Sequence, residues 1–350
     1  MKTRRIGAAL LCLALLLSLA CGCRACDDEP KMQAKTYYEY FDTQSTLFSY
    51  AGDDAATFAA HCSAVEQSLS YYHRLFDIYY EYSGVNNLRT LNKNAGRGPI
   101  EVDRALIDFL LYAKEVYTLT GGRVNVALGS VLSLWHDCRE DAEDGVYAIP
   151  DETALREANL HTDLDAVVID EDACTVEITD SAVRLDVGAL GKGYAAQKIS
   201  EQLRARGVNS YILNLGGNLC AIGTKTTGEG WLTGITNPDR ESAQRFCCRV
   251  MLSDTSCVTS GDYQRYYTVD GVRYHHIIDP ETLYPAAYFA SVSVICRDSA
   301  LADALSTALF CMSEENGRAL VGTLDGVEIL WIYRDGRQSM TDGFQSILAK

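Results

Sequence analysis

No cluster of lysine or arginine interrupts this 350-residue chain, whose formal charge is −16. That excludes the electrostatic footprint of a nucleic-acid binder and disfavours adhesion to anionic lipid by charge alone. Paired CxxC motifs with zinc spacing are missing despite 13 cysteines, so no structural zinc site is written into the chain. Cys62, Cys138, Cys174, Cys220, Cys257, Cys296 and Cys311 lie singly, most of them in apolar segments where a thiol packs as a small hydrophobe. A disulfide framework is therefore not indicated, and only Cys23 with Cys26 and the adjacent Cys247 and Cys248 depart from that pattern. Internal repeats and low-complexity tracts are absent. So are a Walker phosphate loop, the Rossmann order of glycines and an evident Ser/His/Asp triad.

Long apolar runs are also missing, with one exception. Residues Ile6 to Ala20 follow Lys2, Arg4 and Arg5 and end in small residues and cysteine. The run is short for a membrane span and has the form of a secretory signal. Cysteine at the cleavage region points to a lipoprotein signal over residues 1–22, cut before Cys21 or Cys23, with the new terminal cysteine lipid-anchored on the extracytoplasmic face of the cell membrane. A polar tether is expected over 23–36, followed by one folded unit over 37–345, large enough for one big core or two associated ones.

Thr36–Tyr50, aromatic and β-branched, predicts a strand, and Ala55–Phe76 has helical spacing. Asp103 caps a second helix that runs to Thr120 and is stopped by Gly121 and Gly122. Short strands are expected at Val167–Asp170, Thr175–Thr179 and Ala182–Val187, then a helix over Tyr194–Arg206 and a strand over Tyr211–Leu215. The later third predicts strands at Phe246–Leu252, Gln264–Val269, Val272–Ile278 and Ser291–Cys296, a helix at Ser299–Met312 and a closing strand at Glu328–Tyr333. Paired strands with interspersed helices indicate an α+β fold of mostly antiparallel strands.

Chemistry gathers in a few segments. LDVGALGKGYAAQ (185–197) sits at a strand-to-helix turn, where Gly188, Gly191 and Gly193 admit a ligand to the backbone and the following helix offers N–H groups to phosphate. It reads equally as plain turn geometry. YILNLGGNLCAIG (211–223) places Asn214, Gly216, Gly217 and Asn218 at a strand end, as a ligand contact or a tight hairpin turn. In ADALSTALF (302–310), Asp303 and Thr307 share a helix face that is otherwise apolar, which suits either a structural acceptor or part of an oxygen shell for Mg2+. TSGDYQRYYTVDGVRYHHIIDP (259–280) carries two of the chain's six histidines, His275 and His276. Neighbours in a strand face opposite ways, so one is expected in a site and the other on a rim or in structure.

These segments, with FDT at 41–43, Asn92 in LRTLN and TGGRVNVALGSVLSLW at 120–135, resemble the ApbE family of FAD:protein FMN transferases, flavin-trafficking lipoproteins of bacterial envelopes. The resemblance implies an α+β fold with a central cleft for FAD and the use of Mg2+. By position it implies that Asp303, Thr307 and the carbonyl of Ala189 are magnesium ligands. It places Asn92, Arg123, Val124, Asn125, Asp186, Lys192, Ser260 and His276 around FAD, with His276 as the catalytic base and His275 as the more variable neighbour. It implies transfer of FMN from FAD to a Ser or Thr hydroxyl of an exported acceptor, such as a subunit of a membrane redox complex. A nucleophile on another protein accounts for the missing triad. An FAD pyrophosphatase and a non-catalytic flavin-binding lipoprotein are the alternatives. One departure stands out: the family has Thr-Gly after the Asp-Pro pair, whereas Thr282 is followed by Leu283, and a differently shaped turn is expected there.

Overall fold

Apolar residues on both sides of the later strands require a sheet buried on two faces. In the computed structural model, which describes residues 31–349, that sheet organises the chain. In chain order the strands are β1 Gln33–Tyr40, β2 Thr43–Ser49, β3 Ile100–Glu101, β4 Val167–Asp170, β5 Thr175–Ile178, β6 Ser210–Leu215, β7 Asn218–Gly223, β8 Trp231–Thr236, β9 Phe246–Leu252, β10 Ser256–Gly261, β11 Tyr266–Val269, β12 Val272–His275, β13 Ser291–Cys296, β14 Glu328–Ile332 and β15 Gln338–Met340. The helices are α1 Ala55–Phe76, α2 Leu88–Lys93, α3 Arg104–Leu119, α4 Gly129–Glu143, α5 Glu152–Asn159, α6 Gly191–Ala205, α7 Ser299–Phe310, α8 Glu314–Val321 and α9 Phe344–Ile347.

Eight strands form the main sheet in the order β1-β2-β6-β7-β10-β13-β14-β15, each pairing antiparallel. Side chains alternate between its faces. Val292 and Val294 of β13 and Ile329 and Trp331 of β14 join the core under α3 and α7, while Ile295, Leu330 and Ile332 pack on the other side with Trp231, Ile235 and Phe344. Helices α1 and α6 cover the β2–β6 end through Val65, Leu69, Ile199 and Leu203 against Leu213 and Leu215. The capping residues follow local chemistry: Asp54 accepts from Thr57 N at 2.8 Å, and Asp298 accepts from Ala300 N and Leu301 N at 2.7 and 3.0 Å.

Several sequence expectations need correction. Thr36–Tyr50 is a hairpin, because Phe41 and Asp42 adopt φ of 58° and 48° and turn the chain between Tyr40 and Thr43. The expected tether also ends early, since β1 begins at Gln33. Ala182–Val187 is not a strand; its one bridge joins Arg184 to Leu128. The strand expected to reach Ile278 stops at His275, and β15 and α9 follow the strand expected to close the chain. Leu283 adopts the left-handed conformation that favours glycine, with φ of 64°. Its buried side chain joins the cluster around Trp135, whose Nε1 donates to Leu283 O at 2.9 Å. The cysteines Cys62, Cys220, Cys257, Cys296 and Cys311 are free and buried. The signal sequence, Cys21, Cys23 and the first part of the tether lie outside the described residues.

His275 is not a rim residue. It is 2 % exposed, its Nε2 donates to Ala286 O at 2.9 Å and its Nδ1 accepts from Ile277 N at 3.2 Å. The ring stands edge-on to Phe310 at 5.5 Å. Burial pushes this imidazole down from 6.5 to about 4, so it is neutral in the folded chain. Between those two pH values the unfolded chain holds a proton that the folded chain refuses, and stability falls as pH falls. His275→Asn should therefore lower the urea midpoint at neutral pH and flatten its decline on acidification from pH 6.5 to 4. An unchanged slope in the variant would show that His275 is not buried neutral.

Candidate active site

The glycine loop and α7 meet because neither carries bulk at the crossing. A Cβ on Gly193 would lie 2.3 Å from Asp303 Cβ and 2.5 Å from Ser299 O. With hydrogen there instead, Gly193 N donates to Asp303 Oδ2 at 2.7 Å. The first turn of α6 has no side-chain cap, so its N-terminal donors meet the carboxylate where the helix dipole favours negative charge. The N–H of Gly193 thus goes to Asp303 and is not left for a phosphate, as the sequence had implied for this helix. Asp303 is buried, which pushes its carboxyl up; the Lys192 charge and the Gly193 N–H oppose that rise. A row of hydroxyls continues from it. Ser306 Oγ donates to Asp303 O at 2.9 Å, and Ser260 Oγ lies 2.8 Å from Ser306 Oγ and 3.4 Å from Thr307 Oγ1.

Asp303 and Thr307 form one wall of a cavity of about 710 Å³. The glycine loop supplies a second wall through Asp186, Ala189 and Lys192. There Gly188 N donates to Asp186 Oδ1 at 2.8 Å and Lys192 Nζ to Gly188 O at 3.2 Å. Ser260 and His276 close it from the sheet side, and Arg123, Val124 and Asn125 line the part that precedes α4. The β1–β2 turn, Phe41 to Thr43, forms the mouth with Tyr79 and Tyr80.

His276 reaches this cavity from just beyond the end of β12, with its backbone N donating to Arg265 O at 3.1 Å. Its Nδ1 is buried without a partner. Burial, helped by the charges of Arg265, Lys192 and Arg139, pushes the imidazole down to about 3. The segment is fixed from behind: Arg123 Nη1 donates to Asp279 Oδ1 at 2.9 Å and to Cys311 O at 3.2 Å, and Arg123 also pairs with Glu281. Burial raises the Asp279 carboxyl, with the Glu281 N–H and the Arg123 charge opposing.

Two residues assigned to FAD by resemblance have internal duties. Asn92 does not line the cavity. It is buried and clamps the backbone of Leu185, donating from Nδ2 to its O at 2.9 Å and accepting its N–H at 2.7 Å. It thus positions the start of the glycine loop. Asn125 faces the cavity, yet its amide donates to Thr162 O at 2.8 Å and accepts from Ala127 N at 2.9 Å. Sequence reasoning missed His73, His136, Arg139 and Arg265, all on the cavity wall. Burial pushes the His136 imidazole down while the Asp186 carboxylate opposes it. Tracing all six histidines would have found His73 and His136.

Among the described residues no set of three or more His, Cys, Asp or Glu could hold a metal. The donors that are present, a carboxylate, a hydroxyl and a carbonyl, are hard oxygens of the kind Mg2+ takes in small number, keeping water and substrate for the rest.

The chain matches the family model described as "ApbE family" over residues 41–331. It is 37% identical over 270 residues, 73% of each chain, to an FAD:protein FMN transferase of Treponema pallidum. It is 31% identical over 246 residues to one of Klebsiella pneumoniae, covering 70% of this chain and 74% of that one. Among solved structures, the ApbE protein of Thermotoga maritima superposes with a TM-score of 0.80 at 25% identity, over 91% of this chain and all of that one. Flavin transferase ApbE from Vibrio cholerae, at 22% identity, shares the fold with a TM-score of 0.75, over 91% of this chain and 99% of that one.

The helix crossing is directly testable. Gly193→Ala should destabilise the chain by about 1–3 kcal/mol through overpacking, read as a lower urea midpoint. A midpoint equal to the wild type's would mean that α6 and α7 can separate without cost.

Proposed function

We propose that this chain, which belongs to the ApbE family, transfers the FMN half of FAD to a Ser or Thr hydroxyl of an extracytoplasmic acceptor protein and releases AMP. The observation that carries this reading is the meeting, in one cavity, of an imidazole with an unpartnered ring nitrogen and the Asp303–Thr307 oxygen face. Neither is needed to bind flavin alone.

The acceptor oxygen forms a new bond to the FMN phosphorus, the bond from that phosphorus to the bridging oxygen breaks, and AMP leaves with that oxygen. The hydroxyl proton goes to the ring of His276. In the free protein this imidazole is a weak base, depressed by burial and by Arg265, Lys192 and Arg139. An anionic pyrophosphate among those cations offsets their charge, so the base strengthens when FAD is in place. Lys192, held at the carbonyl of Gly188, is placed to neutralise the pyrophosphate. Asp303, Thr307 and the Ala189 carbonyl would hold Mg2+. When bound, Mg2+ supplies further charge stabilisation on the phosphate oxygens. Asn92, through Leu185, and Arg123, through Asp279, act as positioning residues for the loop and for the histidine segment.

We also propose that the chain is lipid-anchored at Cys21 or Cys23, on the extracytoplasmic face of the cell membrane. This rests on the signal-like run alone. No helix among the described residues is long and apolar enough to cross a membrane.

Three experiments test these readings. His276→Asn should cut flavin transfer to an acceptor by roughly 10²–10⁴-fold with FAD binding retained, and Asp303→Ala should abolish turnover at limiting Mg2+. Full activity in the Asp303 variant would remove the metal assignment, and full activity in the His276 variant would remove the base. For the anchor, mass spectrometry of the mature amino terminus should find a diacylated cysteine; an unmodified residue there rejects it.

A further inference from the structure

The cavity does not end at its mouth. Asp42, Tyr79, Tyr80, Arg139, Gln264 and Arg265 line it and also line a second, more open hollow of about 820 Å³, so the two adjoin. The far walls of the second hollow are strand β11, through Tyr266 to Thr268, and the last turns of α4 with Tyr147 beyond them. Among the described residues strand β11 pairs only with β12, and its other edge is unpaired there. The β11–β12 hairpin turns through Asp270 and Gly271, with φ of 49° and 80°, and His276 N bonds to Arg265 O. By alternation, the backbone groups of Tyr267 and Val269 face β12, and those of Tyr266 and Thr268 point away from it.

Tyrosine crowds this groove. Tyr79, Tyr80, Tyr147 and Tyr266 are 53, 70, 62 and 44 % exposed, where ordinary folding would bury or disperse them. Exposed tyrosine offers rigid, amphipathic contact area at small entropic cost, a mark of polypeptide-binding surfaces.

We propose that the acceptor polypeptide binds in this groove as an extended strand added to the free edge of β11, which delivers its hydroxyl into the cavity. The inference rests on the transferase reading and names the docking surface that reading requires. Main-chain hydrogen bonds to Tyr266 and Thr268 supply affinity and the tyrosines grip alternate side chains. At about 3.3 Å per residue, a chain paired with Thr268 reaches the level of Gln264 within a few residues. Gln264 and Arg265 belong to both hollows, so the bound strand runs on to the side of His276.

The test uses the full chain, FAD, Mg2+ and a pool of short synthetic peptides with one fixed central Thr. Flavinylated peptide is measured by mass, and AMP released into water alone is measured in parallel. Thr268→Pro removes an outward N–H and leaves the bonds of Tyr267 to β12. Tyr147→Ala changes only an exposed side chain in a loop. Both variants should keep wild-type FAD binding and AMP release into water, and raise KM for the peptides by roughly ten-fold or more. Unchanged KM in both variants overturns the docking site. A wild-type dimer that Thr268→Pro dissolves assigns the groove to self-association and overturns it as well. If the wild-type chain cleaves FAD and labels no peptide, the transferase reading itself fails, and the docking site with it.

Discussion

One contact organises the cavity: the Gly193 N–H bond to the buried Asp303 carboxylate, 2.7 Å long, at the crossing of α6 and α7. A carboxylate inside a helix that is apolar on nearly every side would be untenable unsupported. Here it has the donor end of α6 and the charge of Lys192. Each support imposes its own requirement. The close approach forbids a side chain at 193, and the burial demands the run of Ala and Leu around Asp303. The glycine loop is therefore shaped by the helix it packs against at least as much as by any ligand. The same packing brings Ala189 and Lys192 to the wall of the cavity that Asp303 and Thr307 also line.

A second support acts on the opposite wall. His275 is pinned between Ala286 O and Ile277 N, and Asp279 is tied to Arg123, which also reaches Cys311 O at the end of α7. Between these anchors His276 has little freedom, and its ring is held in a place where Nδ1 has no partner. Leaving a buried nitrogen unsatisfied costs on the order of 1–3 kcal/mol. The bonds of His275 and Asp279 hold the segment against that cost.

The sequence made the strongly periodic elements legible and hid those set by tertiary contact. Helices α1 and α3 were visible because Cys62, Val65 and Leu69, and Leu106, Phe109 and Leu110, recur at helical spacing behind an aspartate cap. The β1–β2 hairpin was not, because its turn uses Phe41 and Asp42 where glycine or asparagine would have announced it. The Phe41 N–H to His73 Nδ1, at 3.3 Å, and an edge contact between the two rings help to hold that turn. Only the folded chain brings His73 there. The same limit separates Asn92 from the other candidates: its position in LRTLN could not reveal that both ends of its amide serve the Leu185 backbone. Family position assigned residues to a neighbourhood, and the geometry divided them into those that face the cavity and those that brace it.

Local rules are also broken around that neighbourhood. Three of the non-glycine residues with positive φ, Cys174, Asp254 and Asp270, sit in turns between successive strands and mean little. Phe41 and Asp42 also turn the chain between successive strands, but their turn lines the cavity, and Leu283 closes the turn that receives the Trp135 N–H and follows the histidine segment. With them go a buried carboxylate in an apolar helix and a buried imidazole nitrogen left unpaired. Backbone strain of this kind persists only where the surroundings over-determine it. A chain selected for stability alone would place glycine at 283, a better turn former at 41 and an aliphatic side chain at 303. The left-handed turn at Phe41 and Asp42, the buried Asp303 carboxylate and the His276 ring meet along one cavity, and all lie in segments that the family pattern also selects.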